Sequence, residues 1–266
     1  MEELQQRRVE GCRLDPHFAL VELDDAIAFV HDRGLVTLTP CCSLPSLFAA
    51  CHEEPHSPGK PGYGRYPKTR WWWGGALAEA EHVTATKLHG GKTLYLAPRL
   101  VDVVAPLCLE SLADAKTGRF GEDAARIVGV LEAAGPSTTD DFKEELGLDA
   151  RRYQRARTAL EKHGAVLSRH VTVDADTGGH RHLSELRLWE HVPPRASATI
   201  DNRLIELLVA AVSAAVVLPE ADARRAFTWT VPQPVVERAV GEGRVMRPTP
   251  DTLAVSSLTT PEAVVP

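Results

Sequence analysis

Arg151, Arg155, Thr158 and Lys162 recur at intervals of four, three and four residues, a spacing that aligns side chains along one face of an α-helix. Arg152, Gln154 and Arg157 flank that face. Guanidinium, amide and ammonium groups at this pitch neutralise phosphates and can read base edges in a major groove. On the same stretch Tyr153, Ala156 and Leu160 make an apolar stripe at i, i+3, i+7. The helix therefore has one side for a core and another for a polyanion. Ordinary solvated arginines would give the same pattern, so the neighbouring elements decide between the two.

Those neighbours form an ordered set. A helical run at 122–134 stops at Gly135-Pro136, and a second at 139–146 is entered through Ser137, Thr138 and Thr139, the chemistry of a helix N-cap. The third helix, 150–163, follows Asp149 and stops at Gly164. Two strand-like runs come next, 165–173 and 180–189, joined by Asp174-Ala-Asp-Thr-Gly-Gly179, which is hairpin-turn chemistry. They place Arg169 on one ribbon strand and His180 and Arg181 at the start of the other. Three helices followed by a two-stranded ribbon define a helix-turn-helix with a wing, a shape that meets DNA or another protein.

The flanking segments follow a related order. Before it lie a helix at 24–33 ended by Gly34, a strand at 35–38, a helix at 44–52, a loop rich in Pro, Gly and Lys at 53–68, Trp71–Trp73, a helix at 76–88, and a strand at 92–97 after Gly90-Gly91. After it come helices at 200–218, 220–227 and 235–240 and a strand pair at 244–247 and 252–255. The expected fold class is α+β, with tandem winged-helix domains at 1–117, 118–195 and 196–266.

Other side chains offer weaker chemistry. Trp72, within Trp71–Trp73, can stack on an unpaired base. Lys87 and Lys92, with His89 and Arg99 beside Gly90-Gly91, suit a wing that touches phosphates. Cys41, Cys42, Cys51, His52 and His56 are soft donors close in sequence, but they form no regular CxxC pair, and buried cysteines also serve as small hydrophobes. No metal and no cofactor is expected. Asp24 and Asp25 suit a helix start, where negative charge complements the dipole. Phosphate-binding glycine loops, HExxH and the nucleophile elbow are missing from the sequence.

Composition narrows the partners. The 266 residues are 44% hydrophobic and 25% charged, with a net charge of −6. Residues 118–196 carry twelve Lys/Arg against thirteen Asp/Glu, so contact with a polyanion must come from local placement rather than a bulk basic field. The charged start and the odd count of five cysteines point to a reducing, cytoplasmic setting without a signal peptide or disulfide framework. The apolar run 204–218 is too short to span a bilayer and contains Glu206, so no membrane partner is expected.

One resemblance joins these parts. The series Asp25–Pro40, Leu44-Pro-Ser-Leu47, Trp71-Trp-Trp73 and Lys87-Leu-His-Gly-Gly-Lys-Thr93 resembles the winged-helix DNA glycosylase-like proteins of the AlkZ/YcaQ type, and more closely their AlkZ-related branch. The resemblance covers most of residues 20–190 and implies tandem winged helices that bind duplex DNA. Its catalytic members excise bulky alkylated bases and unhook crosslinks, using a Gln–apolar–Gln or Gln–apolar–Asp triplet before a Pro- or Ser-containing turn. The matching stretch here is Thr37-Leu38-Thr39 before Pro40, and a hydroxyl cannot replace an aspartate's charge opposite an oxocarbenium-like sugar. The expectation is a double-stranded DNA binder without catalysis, regulatory or associated with DNA repair. A divergent DNA glycosylase and a protein-interaction scaffold are the alternatives. The helix at 200–218, apolar on nearly every side, must be covered by another domain or by a second copy in a homodimer.

Overall fold

The computed structural model describes residues 1–174, 180–189 and 199–256. After α1 (Glu2–Gly11), the chain runs one order of elements three times: helix, short strand, two helices, two-stranded hairpin. The first unit is α2 (Leu23–Arg33), β1 (Leu35–Thr37), α3 (Leu47–Ala50), α4 (Trp73–Glu79), β2 (Thr84–His89) and β3 (Lys92–Leu96). A long connector, α5 (Pro98–Lys116), leads to α6 (Glu122–Ala134), β4 (Ser137–Thr138), α7 (Thr139–Leu146), α8 (Ala150–Lys162), β5 (Leu167–Asp174) and β6 (His180–Arg187). The third unit is α9 (Ile200–Ala215), β7 (Val217–Pro219), α10 (Glu220–Arg224), α11 (Gln233–Gly241), β8 (Val245–Thr249) and β9 (Thr252–Val255). In each, the short strand pairs with the second hairpin strand, giving the orders β1-β3-β2, β4-β6-β5 and β7-β9-β8. Among the described residues the pairings within these sheets are antiparallel, so the fold is α+β with three small antiparallel sheets.

Local chemistry sets the helix ends. At α7, Thr138 and Asp141 form a capping box: Thr138 Oγ1 accepts from the Asp141 amide, and Asp141 Oδ2 accepts from the Thr138 amide at 2.6 Å. Gly147, left-handed at φ 59°, ends the helix. At α8, Asp149 Oδ1 accepts from the amides of Arg151 and Arg152 at 2.8 and 2.9 Å, satisfying two of the orphan donors of a helix start. Asp25 closes a second capping box with Glu22 at the start of α2, which assigns it a structural role.

Two parts of the first unit depart from expectation. The helix expected at 76–88 is two elements, α4 and the strand β2. The alanine-rich start favours helix, but Thr84, Thr86 and Leu88 alternate in the period of a strand and bury Thr86 and Leu88. The helix expected at 44–52 is the single turn α3. The 19-residue α5 is hidden from sequence reading by Pro106 in its interior, a residue that ordinarily breaks helices. The turn between β5 and β6, Pro193-Pro194 and the tail after Ser257 lie outside the described residues. Among the described residues no helix is long and apolar enough to cross a membrane.

The largest core runs through the first and third units together. Leu35, Leu94 and Leu96 from the first sheet and Val104, Leu107 and Cys108 from α5 pack with Leu207, Leu208, Ala211, Val212 and Ala215 of α9. The second unit keeps a separate core around Ile127, Phe142, Tyr153 and Leu160. A third cluster around Phe29, Leu47, Trp73, Leu77 and Tyr95 holds α2 and α4 on the first sheet. Helix α9 touches α2, α5, α11, β1 and β9, so of the two covers expected for it, another part of the same chain is present.

Helix α9 ends at Val216, which has φ 66° and ψ −50°, a strained γ-turn geometry for a β-branched residue. The Arg8 guanidinium grips both sides of it, with Nη1 donating to the carbonyls of Ala215 at 2.9 Å and Val217 at 2.6 Å. Gly164, just beyond α8, has φ 73°, and a β-carbon there would lie 2.6 Å from Leu88 Cδ2 and 2.8 Å from Cys108 Sγ. Only glycine lets the end of α8 approach β2 and α5 so closely.

Shortening a side chain at the centre of the shared core tests this cover. Leu208→Ala should cost about 2–5 kcal/mol in urea unfolding. The unfolding midpoint should not move across a dilution series, whereas a concentration-dependent midpoint would assign α9 to an interface between copies.

Candidate nucleic-acid interface

Helix α8 presents the basic face the sequence describes. Tyr153, Ala156 and Leu160 are buried in the core of the second unit, while Arg151, Arg152, Gln154, Arg155, Thr158 and Lys162 are exposed. Gln154 Nε2 donates to Thr158 Oγ1 at 3.2 Å, fixing two polar side chains on that surface. Among the described residues, no hydrogen bond or ion pair engages the side chains of Arg151, Arg155 and Lys162.

Other candidate cations are already neutralised. Arg152 forms a bidentate pair with Asp123 at 2.9 and 2.6 Å, and that hydrogen bonding holds the Asp123 carboxyl below the usual carboxylate range. Arg169 pairs with Glu185 at 2.6 and 3.2 Å. Arg181 pairs with Asp140 at 2.5 Å, which lowers the Asp140 pKa. Such exposed pairs are worth little in stability and can exchange partners, but they cancel the local field that attracts a polyanion. His180 sits at the far end of the ribbon, opposite Asp174 in register.

The expected phosphate-binding wing of the first unit is occupied differently. Lys87 is half-buried, and Nζ donates to Thr93 Oγ1 at 2.7 Å. Burial lowers its pKa, with Arg157 adding to the shift and Glu161 opposing it. His89 is held to the third unit, Nδ1 lying 2.8 Å from the carbonyl oxygen of Ala226. Arg99 donates to the carbonyls of His31 and Asp32. Lys92 and Arg99 are both exposed, but the Arg99 guanidinium is committed to those carbonyls. The physical cause is packing: β2 lies against α8 and β5, which takes Lys87 partly out of solvent.

Between the first unit and the ribbon of the second lies a cleft of about 400 Å³. Tyr63, Tyr66, Trp71 and Trp72 from the first unit line it together with Lys87 and with Arg157, Arg169, His170 and His182 of the second. Trp71 and Trp72 are 45% and 47% exposed, against 4% for Trp73. The triple tryptophan divides between core and surface at a turn leading into α4. Tyr63 meets Trp71 edge-on with ring centres 5.7 Å apart, and Tyr95 Oη, on the cleft floor, donates to the Gly74 carbonyl at 2.7 Å. Burial lowers the His170 pKa, and Lys87, Arg157 and His182 push it further the same way, which favours a neutral imidazole. Glu79 is the one carboxylate among the lining residues.

The stretch Thr37-Leu38-Thr39 reaches this cleft only through Leu38. Thr37 is 1% exposed, and its hydroxyl donates to the Pro45 carbonyl at 3.0 Å. The cysteines do not gather as their sequence positions suggest. Cys51 is buried against the Leu47 carbonyl, with burial pushing its thiol up to about 12, and His52 faces the Arg13 carbonyl at 2.7 Å. Compared with protein-family models, with curated proteins and with solved structures, the chain finds no match.

Sequence spacing does not reveal one charged cluster at the seam. Glu161 is 7% exposed and accepts from Arg157 Nε and Nη2 at 3.1 and 3.0 Å, with Lys87 in the same electrostatic environment. The i, i+4 spacing of Arg157 and Glu161 suggests only a surface pair; burial arises from the contact of α8 with β2. Replacing Glu161 with glutamine keeps the volume and strands both cations, and it should cost about 1–3 kcal/mol in urea unfolding. Lys87→Met in the same chain should return part of that loss, whereas strictly additive effects would separate the two residues.

Proposed function

We propose that the protein binds double-stranded DNA through α8 without catalysing a reaction on it, as a regulatory or repair-associated factor built from three tandem winged helices. The observation that carries this reading is the open face of α8, where Arg151, Gln154, Arg155, Thr158 and Lys162 are exposed together. Its setting supports the reading: α8 is the third helix of a unit that ends in a two-stranded ribbon. In a helix-turn-helix with a wing, that helix enters the major groove. The unpaired arginines supply phosphate contacts, and Gln154 supplies an amide that can bond an adenine edge. A scaffold would need an apolar face of α9 left open, and that helix is covered on several sides by its own chain.

Arg151→Ala with Arg155→Ala should weaken duplex binding in fluorescence anisotropy and lower the salt slope by about two, one for each lost phosphate contact. Unfolding of the double variant should match the parent protein. Unchanged affinity with an unchanged slope would remove α8 from the interface.

The cleft favours a second reading, a divergent DNA glycosylase, because its aromatic wall can stack on a base displaced from a duplex. The chemistry beside it argues against excision. Thr37 is buried and hydrogen-bonded to Pro45, and positions 37–39 carry neither an amide nor a carboxylate. Single-turnover assays should therefore show no release of N7-alkylguanine and no unhooking of a crosslinked duplex. Turnover abolished by Glu79→Gln would establish the glycosylase reading instead.

A further inference from the structure

The adjacent Cys41 and Cys42 are far from His89 in the sequence but meet it in the fold. Their two sulfurs and one imidazole nitrogen all lie within 4.8 Å of one another. The cysteines sit in the loop after β1, and the histidine ends β2. We propose that these three side chains bind one thiophilic divalent cation, Zn²⁺ by the chemistry of the donors, at the seam between the first and third units.

The donor set matches the ion. Two thiolates and an imidazole suit a borderline-soft metal, and three protein ligands leave the fourth tetrahedral position to water or another small ligand. Donors around a tetrahedral zinc lie about 3.7 Å apart, given bonds of about 2.0–2.3 Å. Side-chain rotation therefore has to close the cluster by about 1 Å, less than a change of rotamer supplies.

The surroundings already orient the histidine. Nδ1 of His89 lies 2.8 Å from the Ala226 carbonyl oxygen, which can only accept, so the ring proton sits on Nδ1 and the lone pair on Nε2. An imidazole that donates one nitrogen to a backbone carbonyl and offers the other is the usual outer-shell arrangement of a metal-bound histidine. The cysteine loop is held as well. Ser43 donates from its hydroxyl to Asp222 Oδ2 at 2.5 Å, and its carbonyl accepts from Arg8 Nη2 at 2.7 Å. Asp222 and Ala226 both belong to the third unit, so the ion would fasten the β1 loop and the end of β2 where that unit already grips them.

The test uses the full-length chain, reduced with a phosphine and stripped of metal with a chelator. Titration with Co²⁺ should saturate at one ion per chain. The spectrum should show a thiolate-to-cobalt charge-transfer band in the near ultraviolet and tetrahedral d–d bands in the visible, and Zn²⁺ should displace both. Cys42→Ser and His89→Gln should each weaken binding by roughly a hundredfold or more, while Cys51→Ser leaves it unchanged. Zn²⁺ should raise the thermal midpoint of the parent protein and not of Cys42→Ser. A spectrum without the charge-transfer band would overturn the site, as would an equal band in the Cys41→Ser, Cys42→Ser double variant. The parent spectrum alone decides the matter if a variant fails to fold.

Discussion

Burial of α9 is the constraint on which the rest of the architecture depends. Leu207, Leu208, Ala211, Val212 and Ala215 are fully excluded from solvent, and α9 contacts α2 and β1 of the first unit and the connector α5 as well as α11 and β9 from its own. A helix apolar around most of its circumference has no stable exposed state in water. At about 0.8 kcal/mol for each buried methylene group, this one helix outweighs any single surface ion pair in the molecule. The first and third units therefore share a core and cannot separate without exposing it. The second unit, with its own core, is fastened to that body through Gly164 and the contact of α8 with β2.

The fastening explains why the molecule has an occupied side and an open side. On the occupied side, Arg157 and Glu161 of α8 face Lys87 of β2, and the β2–β3 hairpin is held to the third unit through His89. On the open side, Arg151, Arg155 and Lys162 stay exposed. The aromatic cleft lies where the occupied side meets solvent, which is why it combines half-exposed tryptophans with a half-buried lysine. One helix thus divides its polar residues between internal charge balance and an external surface, and the division follows the angle at which the second unit docks.

Local signals made much of this legible before any coordinates. The order helix, helix, helix, ribbon at 122–189 follows from caps at Thr138 and Asp149, stops at Gly135 and Gly164, and the 3.6-residue pitch of Tyr153, Ala156 and Leu160. The exposed face of α8 follows from the same pitch. Contacts between units left no such mark. Lys87 has the sequence neighbours of a surface wing residue, and only the approach of α8 buries it. Cys41 and Cys42 look closest to Cys51 and His52, yet the chain returns His89 to them from 47 residues beyond Cys42. Helix α5 was masked by one proline, and β2 by the alanines that precede it, because neither pattern records the partner that settles it.

The grip of Arg8 on the carbonyls beside Val216 spans 207 and 209 positions along the chain, and this sets an order of events during synthesis. A ribosome adding about 5–20 residues per second takes about 10–40 s to travel that distance. Through the later part of that interval β1 and α5 exist without the helix that covers them, and their leucines and valines face water. Pairings this remote close slowly. The nascent first unit therefore carries exposed apolar surface until α9 emerges, and a segment made late completes the earliest core.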